Sequence, residues 1–147
     1  MAEVHKRVLI DSPAETMFEL VDRCEDYPKF LPWCGGVELH RRTDAITEAT
    51  LHVDFHGIKT HFTTVNEKEF PLRMRIRLKE GPFRRLEGEW RFVPLGEQAC
   101  RVEFDLSYEF SSRVLEKVLG PVFNRIAATF IDAFVRRARQ IKGEGSG

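Results

Sequence analysis

From Gly35 to Phe110 apolar and polar residues alternate with a period of two, and on either side of that stretch the spacing becomes helical. Val37 and Leu39 alternate with Glu38 and His40, and Leu51, Val53 and Phe55 alternate with His52, Asp54 and His56. Beyond a Gly57-Ile58 turn come Thr60, Phe62 and Thr64, and then Leu72, Met74, Ile76 and Leu78 between Arg73, Arg75, Arg77 and Lys79. After Gly81-Pro82 the apolar set resumes at Leu86, Trp90 and Phe92, and Cys100, Val102, Phe104, Leu106, Tyr108 and Phe110 end the series. Short gaps between runs imply hairpins, so the pattern predicts an antiparallel meander with one wet face and one dry face.

Upstream, Val4 to Ile10 predicts a strand, and Asp11-Ser12-Pro13-Ala14-Glu15 predicts a helix start. Ser12 is the expected N-cap, Pro13 the first position and Glu15 the closing residue of a capping box, with a helix to about Arg23. Downstream, apolar pairs recur every four residues from Val114-Leu115 to Phe134-Val135, so the stripe winds around its helix, as expected under a strongly curved sheet. Gly120-Pro121 predicts a break, with a short piece ending near Leu119 and a main helix from Pro121 to about Ile141. Strand, helix, meander and long helix make one α+β domain over residues 1–142, followed by a flexible tail, 143–147. A curved sheet closing on a helix leaves a concave apolar space, the usual kind of small-molecule site.

One segment fits neither period. Asp26-Tyr27-Pro28-Lys29-Phe30-Leu31-Pro32-Trp33-Cys34 places large apolar groups between two prolines, so it predicts a stiff surface loop that packs on the core or covers a binding site.

The composition narrows the function more by what it lacks. Basic and acidic residues balance at 23 each, so no global field draws in nucleic acid or an anionic membrane. The N-terminus carries no signal-peptide core, no run of about 18 apolar residues is evident, and a soluble cytoplasmic protein is expected. Cys24, Cys34 and Cys100 form no CxxC pair and read as reduced, mostly buried thiols.

Three clusters invite chemistry. His52, Asp54 and His56 share a strand face, and a two-residue Gly57-Ile58 loop would set His61 opposite Asp54; this is the wet face of the strand, and no metal site is expected. Arg73, Arg75, Arg77 and Lys79 form a basic row, but pairing around Gly81-Pro82 sets Arg77 beside Glu87 and Arg75 beside Glu89, so the row largely neutralises itself. Arg136, Arg137, Arg139 and Lys142 suit a helix C-terminus. No nucleophile elbow, zinc helix or phosphate loop is present, and the dry face carries almost no ionisable group, so no catalytic residue is assigned and a non-enzymatic protein is expected.

The segment Tyr27 to Cys34, the run Gly81-Pro82-Phe83-Arg84-Arg85-Leu86-Glu87-Gly88-Glu89-Trp90-Arg91-Phe92-Val93-Pro94-Leu95 and the run Cys100 to Phe104 closely resemble the coenzyme-Q-binding START-type family, over about residues 3 to 141. That family also includes the bacterial ribosome association toxins. The resemblance implies the helix-grip fold, a curved antiparallel sheet of about six or seven strands around a long C-terminal helix, with a cavity for a hydrophobic ligand.

Its two branches imply different functions. The first expectation is ubiquinone or another prenylquinone held as ligand, with no further cofactor, in support of respiratory electron transport. The ligand would lie between Leu51, Val53, Phe55, Phe62, Met74, Ile76, Trp90, Phe92, Phe104 and Leu106 on the sheet and Val122, Phe123, Ile126 and Phe130 on the helix. Tyr27, Phe30, Leu31 and Trp33 would form a lid able to touch a membrane surface. The second is a toxin-like protein that binds the large ribosomal subunit and blocks subunit association, docking through Arg73, Arg75, Arg84 and Arg85. A third, an aromatase or cyclase, needs inward polar groups, for which Thr60, Thr64 and Tyr108 are candidates. DNA is not an expected partner.

Overall fold

The computed structural model describes residues 2–145. Seven strands form one antiparallel sheet: β1 (Ala2–Ile10), β2 (Cys34–Arg42), β3 (Ile46–Phe55), β4 (Ile58–Glu69), β5 (Arg73–Glu80), β6 (Phe83–Pro94) and β7 (Cys100–Phe110). Their order is β1-β7-β6-β5-β4-β3-β2, so the meander runs from β2 to β7 and β1 pairs with the last strand. Helix α1 (Ala14–Asp22) and helix α2 (Arg113–Gly145) cover the inner face, and this is the helix-grip arrangement that the family resemblance implies and with which the apolar periods agree.

The register follows from the turns. His56 and Gly57 both take positive φ, 51° and 81°, the conformation a two-residue hairpin demands, and Phe55 therefore pairs with Ile58. That places the loop one residue earlier than expected, so His61 lies opposite His52 and Asp54 faces Lys59. Arg75 pairs with Glu89 and Arg77 with Glu87, as the Gly81-Pro82 turn predicts. Gly88 is needed for close approach: a Cβ there would lie 2.9 Å from the Asp105 carbonyl oxygen and 3.0 Å from a Leu106 methyl.

Three local expectations change. The first helix begins at Ala14, and Pro13 caps it in an extended conformation with no side-chain bond; Ser12 is buried instead of capping. Helix α2 runs without a break through Pro121. Pro121 is exposed on the outer side and its missing N–H leaves only the carbonyl of Lys117, also exposed, which water can satisfy. Val114 and Val118, counted in the apolar stripe, are 71% and 51% exposed because they precede the part of the helix the sheet grips. The tail is helical as far as Gly145, and residues 146 and 147 lie outside the described residues.

The core is aromatic. Trp90, Phe92, Phe104 and Phe134 are almost fully buried, and Trp90 lies 4.5 Å from Phe104 and 5.4 Å from Phe134, ring centre to ring centre. Helix α2 also holds a window of mean hydropathy 1.4, apolar and long enough to cross a membrane, which the sequence reading did not expect; half of that window is buried inside the protein. Its apolarity is explained by the sheet that wraps it.

Candidate functional site

The proline-rich segment is not an open loop. Cys24–Lys29 forms a 3-10 helix with Pro28 inside it, which the tighter i to i+3 bonding of so short a helix tolerates. Tyr27 donates its hydroxyl to the Val21 carbonyl, and the Asp54 N–H donates to the Trp33 carbonyl at 2.8 Å, tying the segment to α1 and β3. Tyr27, Leu31 and Trp33 are 5%, 1% and 4% exposed; Phe30 is half-buried. The expected membrane-touching lid is therefore corrected: three of its four residues point into the core. Tyr27 and Phe30 pack edge-on against Phe134, Trp33 lies 6.2 Å from Phe130, and the Arg137 guanidinium sits over Phe30 at 5.6 Å.

Behind this segment lies an apolar cavity of about 100 Å³, between the inner face of the sheet and α2. Of the expected lining, Leu51, Phe62, Ile76, Trp90, Phe104, Leu106, Phe123, Ile126 and Phe130 surround it, joined by Tyr27 and Trp33. Val53, Phe55, Met74, Phe92 and Val122 do not. Phe92 packs on Phe18 of α1, Phe55 lies at the hairpin tip against His56, Met74 has no exposed surface and takes a hydrogen bond from Asn66 Nδ2 on its sulfur, and Val53 and Val122 are core. Phe30 and Leu31 stand outside the lining too.

Sequence reasoning missed Cys24, Thr47, Ala49, Asn66, Leu86 and Ala127. Thr47 and Asn66 had a signal: each has the strand parity of the inward residues, Thr47 with Ala49 and Leu51, Asn66 with Phe62 and Thr64. Of the inward polar candidates, Thr64 and Tyr108 line the cavity and Thr60 does not.

Most of these polar groups already have partners. Tyr108 donates to Asn124 Oδ1 at 2.7 Å, and Thr47 donates to Asp22 Oδ1 at 2.6 Å. Burial raises the Tyr108 phenol above its usual pKa and pushes the Cys24 thiol up to about 11, so both stay protonated near neutral pH. Two atoms differ: Trp33 Nε1 and Asn66 Oδ1 are buried with no hydrogen-bond partner among the described residues.

The expected histidine cluster assembles only in part: His52 and His61 face each other with ring centres 5.6 Å apart. His56 is in the turn, His52 bonds Glu38 at 2.6 Å, and among the described residues no group of three or more His, Cys, Asp or Glu side chains is placed to hold a metal ion.

The charged surface divides in two. On the sheet's outer face Arg73 pairs with Glu69 and Glu89, Arg77 with Glu67, Lys79 with Glu48, Arg84 with Glu109, Arg85 with Glu87 and Arg91 with Glu89. On α2, Arg113, Lys117, Arg125, Arg136 and Arg139 are exposed and have no ion-pair partner among the described residues. Their spacing places them with Pro121, Ala128 and Asp132 along one outer ridge, roughly 40 Å long at 1.5 Å per residue.

The model of a family described as polyketide cyclase/dehydrase and lipid transport matches residues 10–135. The chain belongs to this START-like family. Within it, the chain is 40% identical to the ribosome association toxin RatA of Vibrio cholerae, over 98% of this chain and all of that protein. It is 28% identical to the mitochondrial coenzyme Q-binding protein COQ10 homolog B of Xenopus laevis, over 88% of this chain and 54% of that protein. Among solved structures, the solution structure of an 18 kDa Caulobacter crescentus protein superposes with a TM-score of 0.73 at 32% identity, covering 97% of this chain and 99% of that one. The fold is thus shared over 97% of the chain.

Proposed function

We propose that this protein is a cytoplasmic, non-enzymatic ribosome-associating toxin of the RatA type. The observation that carries the reading is the 40% identity with the Vibrio cholerae toxin over essentially the full length of both chains. The likeness to the coenzyme Q-binding protein is weaker and spans about half of that protein.

The docking surface in this reading is the outer ridge of α2 and not the arginines of the sheet. Helix α2 carries seven basic and three acidic residues, although the whole chain is neutral, and five of the seven lie exposed and unpaired among the described residues. A cationic rod of that kind suits the phosphate backbone of ribosomal RNA, whose binding is driven by counterion release. Docking on the large subunit there would obstruct its joining with the small subunit.

The test is co-sedimentation of the purified protein with separated ribosomal subunits at increasing salt. Association with the large subunit that weakens steeply between 50 and 200 mM salt is expected. Association indifferent to salt, or none at 50 mM, would reject the reading.

A prenylquinone carrier is the second reading, supported by the Xenopus laevis likeness and by the apolar character of the cavity. A space of about 100 Å³ takes a ring and not a long isoprenoid, so this reading requires the cavity to open. Recovering no prenylquinone by organic extraction and mass spectrometry, from protein made in a quinone-producing host, would remove it.

A further inference from the structure

The cavity wall contains a mismatch that packing alone does not explain. Nearly all of it is aliphatic or aromatic, and the hydroxyls of Thr47 and Tyr108 are already bonded to Asp22 and Asn124. Trp33, 4% exposed, nevertheless keeps an indole N–H with no acceptor, and the Asn66 amide keeps a carbonyl oxygen with no donor. An unmet buried donor or acceptor costs on the order of 1–3 kcal/mol, and two on one small cavity point to a guest that completes them. Asn66 is held in place by its other end, since Nδ2 donates to the Met74 sulfur at 3.5 Å, and Trp33 is fixed by the backbone bond to Asp54.

Size and shape limit the guest. The cavity, about 100 Å³, is close to the ~150 Å³ of an engineered apolar cavity that takes benzene and far below the ~300–1,000 Å³ of drug-sized sites. Its walls are ring faces, with Trp90, Phe104 and Phe130 within 4.5 to 5.6 Å of one another, centre to centre.

We infer that this cavity is a binding site for a single-ring phenolic ligand, whose oxygen accepts from Trp33 Nε1 and whose hydroxyl donates to Asn66 Oδ1, with the ring held among Trp90, Phe104 and Phe130. The inference does not rest on ribosome association. Cys24 adds no covalent chemistry, because burial holds its thiol protonated.

The protein supplies its own reporter, since its two tryptophans, Trp33 and Trp90, both line the cavity and give two indole N–H signals in a nitrogen-15 spectrum. Titration of the full chain with phenol should shift the Trp33 indole signal saturably, and phenol should bind at least tenfold more tightly than benzene, at about tenfold for each of the two buried hydrogen bonds it completes. Trp33→Phe should weaken phenol about tenfold and leave benzene unchanged. Asn66→Leu, which keeps the indole reporter, should also weaken phenol and spare benzene. An indole shift that does not saturate, equal affinities for phenol and benzene, or phenol binding that neither substitution weakens would overturn the assignment and leave the cavity an ordinary packing defect or a site for water.

Discussion

The outer face of the sheet and the outer ridge of α2 are both rich in basic residues, and they differ in what stands beside those residues. On the sheet, strands pair in register, so Arg75 and Arg77 face Glu89 and Glu87 on β6, and Arg73 and Arg75 face Glu69 and Glu67 on β4. On the helix the exposed ridge repeats at three- and four-residue steps, and most of those steps land on another cation, on Pro121 or on Ala128. Local geometry thus turns similar compositions into a self-neutralised surface and a free cationic one. A count of arginines does not distinguish the two; their partners do.

That comparison treats the proline-rich segment as interior and not as a third docking surface, and the largest expected effect tests this. Trp33→Ala should cost about 3–5 kcal/mol in chemical denaturation, as for other buried aromatics, and half-buried Phe30→Ala clearly less. A loss under about 1 kcal/mol at Trp33 would return the segment to the surface.

Next in size is the ridge. Reversing Arg125 and Arg136 to Glu should lower ribosome affinity by about tenfold or more for each lost phosphate contact near 0.1 M salt, with thermal stability nearly unchanged. Equal loss of stability and binding would mean that these residues serve the fold.

The sheet can then be made to resemble the ridge. Glu89 holds Arg73 at 3.3 Å and Arg91 at 3.2 Å, so Glu89→Gln should free Arg91 and leave Arg73 to Glu69 alone. Retention on heparin should rise, at a stability cost of about 1 kcal/mol or less. No change in retention would mean that pairing is not what silences the sheet.

The smallest effect is that of pH. Hydrogen bonds from Lys79 and Arg73 hold the carboxyls of Glu48 and Glu69 below their usual value of 4.5. Their contribution to stability is complete above about pH 4.5 and is lost as pH falls through the lower folded-state values. The melting temperature should decline below about pH 4.5, and less so in a Glu48→Gln, Glu69→Gln variant; an identical decline would place the acid-sensitive groups elsewhere.

The strands and their faces could be read from the sequence because burial of one face forces strict alternation, and the Gly81-Pro82 turn fixed the register that pairs Arg75 with Glu89. The inner face of α2 was legible for the same reason, down to Phe123, Ile126 and Phe130. The 3-10 helix was not, since Pro28 argues against regular structure while the bonds to Val21 and from Asp54 that hold the segment come from distant residues. The continuity of α2 through Pro121 was hidden because the cost of that proline depends on exposure, which sequence does not display. The ridge was not read as a unit: only Arg136, Arg137, Arg139 and Lys142 drew notice, as charges suited to a helix C-terminus, and the ridge's significance rests on ion pairs that are absent there and present on the sheet.

One measurement addresses the contrast directly. Two variants of equal net charge, Lys117→Gln/Arg125→Gln/Arg136→Gln on the ridge and Arg73→Gln/Arg77→Gln/Lys79→Gln on the sheet, are compared for sedimentation with the large ribosomal subunit in the same salt. The account predicts that the ridge variant stays in the supernatant, with its salt dependence flattened by about one unit of slope per residue, while the sheet variant sediments like the unaltered protein. Equal loss in both, or loss in the sheet variant alone, would contradict it.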